Sequence, residues 1–270
     1  MHARTLPIAL GVCAISLAAQ LAAQRMPTRE PSAVAAAQAG LSALGGSPAT
    51  ICADGTDMRW HPDGASSNYP IHVCASAAQS RVDIVLPGGT SRRVVAGGKG
   101  IIALPSGQIR ALADRNTAYE EPLYFPGLTL ADLLADPSRS ALDKGTATVA
   151  GETRRELDFP SVAPFGPRAL DMRGPSTIRV FLDATGALAA VAFEQAGEQP
   201  NSPEFAGLIT YSDFESVGGY RVAATVEERD FDDAEITGTS RVAFALHFNS
   251  FQINPALPPG YFSLTSGGAQ

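Results

Sequence analysis

Short runs in which apolar and polar residues alternate, separated by turn residues, dominate the chain from residue 80 onward. Residues 81–86 begin this pattern, and a Pro-Gly-Gly turn at residues 87–89 lets residues 92–95 return antiparallel to them. The pattern recurs in residues 100–104 and 108–112. We therefore predict consecutive strands of an antiparallel meander.

A second group of strands is predicted after residue 146. Its segments are residues 147–150, 155–159, 178–182, 188–193, 208–214 and 220–229. The connections at residues 183–186 and 218–219 contain Asp-x-x-Gly and Gly-Gly, which have hairpin chemistry. In a last strand, alternation places four apolar side chains on one face: Val242, Phe244, Leu246 and Phe248.

Two short helices are predicted, one before the strands and one between the two groups of strands. Residues 32–44 repeat apolar positions at helical spacing, with Ser32 as the predicted cap and a Gly-Gly pair after the end. Thr129 and Asp132 resemble a capping box ahead of a second helix, which ends by residues 136–137. Its apolar face is predicted to cover the sheet.

The N-terminus has the pattern of a secretory signal. A weakly basic start precedes an apolar run that ends in small residues, so we predict a signal peptide at 1–24, a polar linker at 25–31 and a single domain at 32–267. The expected location is the periplasm or the exterior of the cell. A retained N-terminal anchor is the alternative.

Charge and composition limit the classes of partner that we expect. The formal net charge is −7, and no run of Lys or Arg stands out. Nucleic acids and anionic membrane surfaces select basic patches, so we expect no nucleic-acid partner. The 26 Gly and 20 Pro favour many short strands over long helices.

Two cysteines remain after the predicted signal, which also contains Cys13. In an oxidising compartment, Cys52 and Cys74 are predicted to form a disulfide. The alternative is a metal site, because His61 and His72 lie between them. Their spacing fits no standard zinc pattern, so we expect no metal and interpret both histidines as loop residues.

No motif predicts catalysis. The chain has no Gly-x-Ser-x-Gly elbow, and His247 has the pattern of a strand residue rather than a general base. Residues 97–100 lack the spacer of a phosphate loop and are interpreted as a turn. A solvated hairpin tip is favoured over a calcium loop for the acidic cluster Asp230, Asp232, Asp233 and Glu235. We predict no catalytic residue and no cofactor.

The end of the chain resembles a known family. Tyr211-Ser212-Asp213-Phe214, the Gly218-Gly219 turn with Arg221-Val222, and residues 251–262 resemble the C-terminal half of LolA-like proteins, which are periplasmic lipoprotein carriers and their relatives. The resemblance covers residues 80–264. It implies an α+β, mainly β fold in which a curved antiparallel sheet forms an incomplete barrel and a few short helices cover its concave side.

The resemblance also implies a function. In LolA-like proteins the concave side accepts acyl chains, so a lipid, a lipoprotein acyl chain or another apolar ligand is the expected partner. The predicted ligand-lining residues are Leu130, Leu133, Leu134, Val222, Val226, Phe244, Leu246 and Phe248. The same residues would also fill an ordinary core. The alternatives are an interaction or sensor module that contacts another envelope protein, and a secreted hydrolase with a carboxylate-based site.

Overall fold

A computed structural model of the chain describes residues 27–61, 64–97, 99–112, 121–137, 139–160, 177–195, 205–231, 236 and 240–263. The predicted signal peptide lies outside these residues, as do Cys13, Gly98, three of the four members of the acidic cluster (Asp232, Asp233 and Glu235) and the end of the predicted domain. In the part that is described, neither helix has the length and apolar character needed to cross a membrane.

One antiparallel sheet of thirteen strands runs through the described part of the chain. In chain order the strands are β1 (Ile51–Trp60), β2 (Ser66–Ala75), β3 (Gln79–Leu86), β4 (Gly89–Ala96), β5 (Lys99–Ala103), β6 (Ile109–Ala111), β7 (Leu142–Val149), β8 (Glu152–Pro160), β9 (Thr177–Leu182), β10 (Leu188–Gln195), β11 (Phe205–Val217), β12 (Tyr220–Phe231) and β13 (Ser240–Ile253). Their order in the sheet is β6-β5-β4-β3-β2-β1-β13-β12-β11-β10-β9-β8-β7, so β6 and β7 end the sheet and the barrel is not closed. The predicted fold class is confirmed.

Within the described ranges, two short helices and one 3-10 helix lie against one face of this sheet. Helix α1 spans Pro31–Ala43, a 3-10 helix spans Glu121–Tyr124 and helix α2 spans Pro126–Ala135. Apolar residues from both helices and from most of the strands share one continuous cluster. We call the helix-covered side of the sheet the inner face and the opposite side the outer face.

The predicted N-terminal caps of both helices are wrong. Glu30 and Phe125 occupy the N-cap positions, neither with a side-chain cap, and each is followed by a proline. Proline at the first helical position has its φ preset and lacks an N–H that would need a partner, so it begins both helices. Thr129 lies inside α2, where its hydroxyl donates to the carbonyl oxygens of Pro122 and Phe125.

The sequence did not predict the first two strands of the sheet, β1 and β2. Strand β1 pairs with β13 on one side and with β2 on the other, which joins the N-terminal meander to the C-terminal hairpins. The interpretation of His72 as a loop residue is therefore wrong, because His72 lies in β2. Gly55 and Pro70 obscure the strand pattern here, since both residue types are depleted in strands.

A register shift also changes one predicted face. The pairing of β12 with β13 is irregular between Glu228 and Arg229, so Val242 lies opposite Arg229. Arg229 also lies opposite Leu208, which belongs to a small apolar cluster on the outer face. Val242 therefore faces away from Phe244, Leu246 and Phe248, because an extra residue in one strand reverses the alternation.

Close backbone contacts dock α1 on the sheet. The helix ends against the β11–β12 turn, where the N–H of Arg221 donates to the carbonyl oxygen of Leu44 at 2.9 Å. Gly45 has a φ of +79°, and a Cβ there would lie 2.2 Å from the carbonyl oxygen of Gly219. Only glycine fits both the conformation and the space. The Gly-Gly pair predicted to end the helix thus also joins it to the hairpin.

Candidate functional site

The predicted ligand-lining residues all lie on the inner face. Leu130, Leu133, Val222, Val226, Leu246 and Phe248 are buried members of the main apolar cluster, and Leu134 and Phe244 are partly exposed beside it. Helix α2 supplies the three leucines, and β12 and β13 supply the others. The structure brings the eight side chains together between helix and sheet, and their role in ligand binding stays a prediction.

Aromatic rings line the junction between the 3-10 helix and β13. The ring of Tyr124 meets that of Phe244 edge to face at 5.6 Å between centroids. Phe125 stacks on Phe248 at 5.9 Å, and Phe248 meets Phe251 at 5.7 Å. These rings extend the apolar surface toward the partly exposed Phe244. Sequence reasoning missed Tyr124 and Phe125, because they precede the helix and follow no strand alternation.

Hydrogen bonds hold the start of this helical cover in place. The phenol of Tyr211, on β11, donates to the carbonyl oxygen of Leu123 at 2.5 Å. Burial raises the pKa of Tyr211, so the phenol stays protonated and remains a donor. The Thr129 hydroxyl donates to the carbonyl oxygens of Pro122 and Phe125 in the same segment. These polar contacts satisfy backbone groups that would otherwise be buried without partners.

A carboxyl group lies beside the apolar surface. Glu228 is directly opposite Ile209 on one side and Phe244 on the other, so its side chain is on the inner face. Burial, together with the charge of Asp230, raises the pKa of Glu228 to about 7, and the charge of Arg93 opposes that shift. Glu228 continues the alternation of Val222 and Val226 in the sequence, and this pattern could have identified it as an inner-face residue.

The contacts of the 3-10 helix show that the sheet curls. This four-residue helix contacts β2 and β3, and its Leu123 carbonyl oxygen accepts a hydrogen bond from Tyr211 of β11. Strands β3 and β11 are five strand spacings apart in the sheet order, which would separate them by about 24 Å in a flat sheet. One short segment reaches both because the sheet bends toward it. The inner face is therefore concave.

The charged residues Glu228, Arg59 and Asp57 on the concave face lie in two neighbouring rows across β12, β13 and β1. Glu228, Phe244 and Arg59 are directly opposite one another across β12, β13 and β1. In the next row, Asp57 lies opposite Leu246 and is 2% exposed. Its Oδ2 accepts a bond from Arg59 Nε at 2.7 Å, while its Oδ1 has no hydrogen-bond partner within the described residues.

Burial raises the pKa of Asp57, although Arg59 opposes the shift. The concave face thus combines an apolar region under α2 with a charged region beside it. An amphiphilic molecule has this same combination of parts.

The predicted disulfide joins Cys52 in β1 to Cys74 in β2 on the outer face. The two residues are directly opposite each other.

The remaining residues considered in the sequence lie elsewhere. His61 lies in the connection between β1 and β2, and its Nε2 lies 2.8 Å from the hydroxyl oxygen of Ser67. His247 is exposed on β13, as its strand pattern indicated. Of the acidic cluster, Asp230 lies in β12 and pairs with Arg241.

Comparison with known proteins identifies the fold. No protein-family model matches the chain, and no curated protein matches its sequence. A domain from Vibrio parahaemolyticus described as an outer membrane lipoprotein-sorting protein matches with a TM-score of 0.56 at 13% identity, covering 86% of this chain and 96% of that one. A LolA superfamily protein from Nitrosomonas europaea matches with a TM-score of 0.57 at 12% identity, covering 86% and 97%.

A third similar structure is a DUF1329 family protein from Desulfovibrio piger, with a TM-score of 0.55 at 11% identity over 86% of this chain and 97% of that one. None of these three is described as an enzyme. Identities this low are evidence about architecture rather than activity. The chain has the fold of the LolA superfamily.

Proposed function

We propose that this chain is an exported, non-enzymatic binding protein that holds the apolar part of a lipid or lipoprotein acyl chain between α2 and the concave face. The observation that carries the proposal is the continuous apolar surface shared by α2, the 3-10 helix, β12 and β13. Likeness to a lipoprotein-sorting domain in fold supports it.

The energetics favour an entry at the rim of this surface. Leu134 and Phe244 are partly exposed, whereas Leu130 and Val226 are 0% exposed. An acyl chain would first contact the exposed pair and then move under α2. Each buried methylene would contribute about 0.8 kcal/mol, so a chain of ordinary length provides enough free energy to displace part of the helical cover.

The charged rows beside Phe244 would receive the polar end of the ligand. Arg59 and Glu228 flank Phe244 on its two neighbouring strands, which places both charge signs next to the entry. A polar head held there would keep its hydrogen bonds while its chain lies in the apolar region.

The experiment is native mass spectrometry with lipid extraction on protein purified from its own cell envelope, followed by uptake of a fluorescent fatty acid. We expect co-purifying lipid and saturable uptake. Leu134→Asn should weaken uptake several-fold, because it places an amide at the apolar entry. Val85→Asn is the matched control, since Val85 is 49% exposed on β3. A reproducibly empty protein that takes up no fatty acid contradicts the proposal.

A second candidate is an envelope interaction or sensor module. The observation that favours it is the complete burial of Leu130 and Val226, as in a filled core. This function predicts no bound lipid and a co-purifying protein that is lost when residues 230–235 are changed. Pull-down from the envelope with and without that change separates the two functions.

A further inference from the structure

A group of metal-ligating side chains surrounds the disulfide on the outer face. His72 is two residues before Cys74 on β2, and Asp54 is two residues after Cys52 on β1, so all four side chains share one face. The Nε2 atom of His72 lies 3.2 Å from Cys74 Sγ. The candidate ligand atoms of Cys52, His72 and Cys74 all lie within 4.8 Å of one another.

We propose that the reduced form of this chain binds one thiophilic metal ion, with Zn²⁺ as its test case, through Cys52 Sγ, Cys74 Sγ and His72 Nε2. Two thiolates and an imidazole are ligands that zinc uses in tetrahedral sites. The disulfide-bonded form lacks thiolates and would not bind. The proposal is independent of lipid binding, which concerns the opposite face of the sheet.

The distances suit a tetrahedral ion. With zinc–sulfur bonds of about 2.3 Å and a zinc–nitrogen bond of about 2.0 Å, ligand atoms stand about 3.5 to 3.8 Å apart. The His72 Nε2 to Cys74 Sγ distance of 3.2 Å is already close to this value. Breaking the disulfide lets the sulfurs separate to a similar distance, while strand pairing holds their backbones opposite each other.

Asp54 orients the histidine for this role. Its Oδ1 lies 2.6 Å from His72 Nδ1, which turns Nε2 toward the sulfur atoms. A carboxylate on the second ring nitrogen is the usual arrangement around a metal-bound histidine, because it sets the tautomer and the direction of the ring. The hydroxyl of Ser250 lies 3.3 Å from the other oxygen of Asp54 and steadies the carboxylate.

Tyr261 occupies the remaining direction. Its hydroxyl lies 2.9 Å from His72 Nε2 and 3.2 Å from Cys74 Sγ, where a fourth ligand or a bound water would sit. The guanidinium of Arg81 lies over the Tyr261 ring at 4.4 Å. The carboxylate of Asp83 pairs with that guanidinium at 2.6 Å, which offsets its charge near the proposed cation.

The chemistry balances with a dithiol reductant. The dithiol supplies two electrons and two protons, becomes a disulfide itself, and converts the Cys52–Cys74 bond to two thiols. Zn²⁺ then displaces the two thiol protons as the thiolates bind. Two thiolate charges neutralise the ion, so the site gains no net charge.

The test begins with protein reduced by a dithiol that is then removed without oxygen. Circular dichroism checks that the reduced protein is folded, and competition with a chromogenic chelator measures Zn²⁺ binding. We expect one ion per reduced chain and none per disulfide-bonded chain. Co²⁺ in place of Zn²⁺ should give sulfur-to-metal charge-transfer bands and the visible bands of a tetrahedral site.

Variants separate this site from chance binding. His72→Ala keeps both cysteines and removes one ligand, so it should weaken Zn²⁺ binding at least 10-fold. Asp54→Asn should weaken it about 10-fold to 100-fold. The matched control is His247→Ala, which removes an exposed histidine of β13 and should leave binding unchanged. A reduced chain that unfolds or binds no Zn²⁺, equal binding by the disulfide form, or an unaffected His72→Ala variant overturns the proposal.

Discussion

Two carboxyl groups on opposite faces of the sheet, Glu228 and Asp83, are held in opposite ways. On the concave inner face, burial and the charge of Asp230 raise the pKa of Glu228 to about 7. On the outer face, burial also acts to raise the pKa of Asp83, but hydrogen bonds and charge from Arg92 and Arg81 outweigh it, and the pKa is lowered. The surroundings of Glu228 therefore favour the neutral carboxyl, whereas those of Asp83 favour the charged one.

The stabilising contacts differ in the same way. The inner face is held by side-chain packing between helices and strands. Over β1–β3 the outer face is held by the Cys52–Cys74 bond, the pair of arginines on Asp83 and the contacts of Tyr261. Alternate residues of the same strands thus build an apolar surface and a polar one. This difference is the basis of the two proposals, ligand binding on the inner face and ion binding on the outer one.

Leu130→Ala tests the packing of the inner face and should have the largest effect. Leu130 is 0% exposed beneath α1, and its loss leaves a cavity between the helices and the sheet. We expect the free energy of unfolding to fall by about 4 kcal/mol, measured by chemical denaturation. Val85→Ala on β3 is the control, because Val85 is 49% exposed and should cost about 0.5 kcal/mol or less. Equal effects of the two changes would contradict the packing described for α2.

Removing the disulfide tests the outer face. Replacing both Cys52 and Cys74 with Ala opens a loop whose ends are 22 residues apart. The chain-entropy account gives a loss of about 3 kcal/mol in the free energy of unfolding. Wild-type protein under reducing conditions should lose a similar amount, which controls for the substitutions themselves. If thiol labelling of denatured, unreduced protein tags both cysteines, the bond is absent.

Glu228→Gln tests the electrostatics of the inner face. The folded-state pKa of Glu228, about 7, lies above its ordinary value of 4.5, so the folded protein binds this proton more tightly than the unfolded chain. The stabilising contribution of that proton is complete below about pH 4.5 and is lost as the pH rises through 7. Because Glu228 is partly exposed, the loss should be roughly 2 kcal/mol rather than the full value that the shift implies.

The neutral Gln variant should therefore unfold like the wild type at pH 4 and be more stable than it at pH 8. Denaturation at both pH values measures this difference. Glu227→Gln is the matched control, because Glu227 is the adjacent carboxylate and faces the other way, bonded to Arg229. A Gln variant whose advantage does not grow with pH would show that Glu228 is solvated.

The sequence predicted most of the strands because their alternation and turns are local signals. The Gly218-Gly219 hairpin and the inner-facing Val222, Val226, Leu246 and Phe248 are examples. The features that the sequence could not predict depend on pairing between distant segments of the chain. Strand β1 contains Gly55 and is stabilised by partners about 200 residues away, with Ile51 opposite Ile253. The bulge that turns Val242 outward depends on sheet register, and the contacts of the 3-10 helix with both β3 and β11 depend on the curvature of the sheet.

Asp83→Asn should give the smallest effect and the opposite pH dependence. Arg92 Nε donates to Asp83 Oδ1 at 2.7 Å and Arg81 Nη2 to Oδ2 at 2.6 Å. Since these bonds lower the pKa of Asp83 below its ordinary 3.8, the charged carboxylate stabilises the fold above that pH and the contribution is lost as the pH falls through the lower folded-state value. The Asn variant should lose about 1 kcal/mol at pH 7, because the site is partly solvated.

At strongly acidic pH the Asp83 carboxyl of the wild type is neutral, like the amide of the variant. The stability deficit of Asp83→Asn should therefore shrink toward zero. Glu215→Gln, which changes an exposed carboxylate on β11, should cost little at either pH. In denaturation experiments the two variants should therefore match the wild type in acid and differ from it in opposite directions at higher pH: Asp83→Asn is less stable than the wild type at pH 7, whereas Glu228→Gln is more stable than it at pH 8. If both variants gained or both lost stability at high pH, the environments of Asp83 and Glu228 would not differ as described.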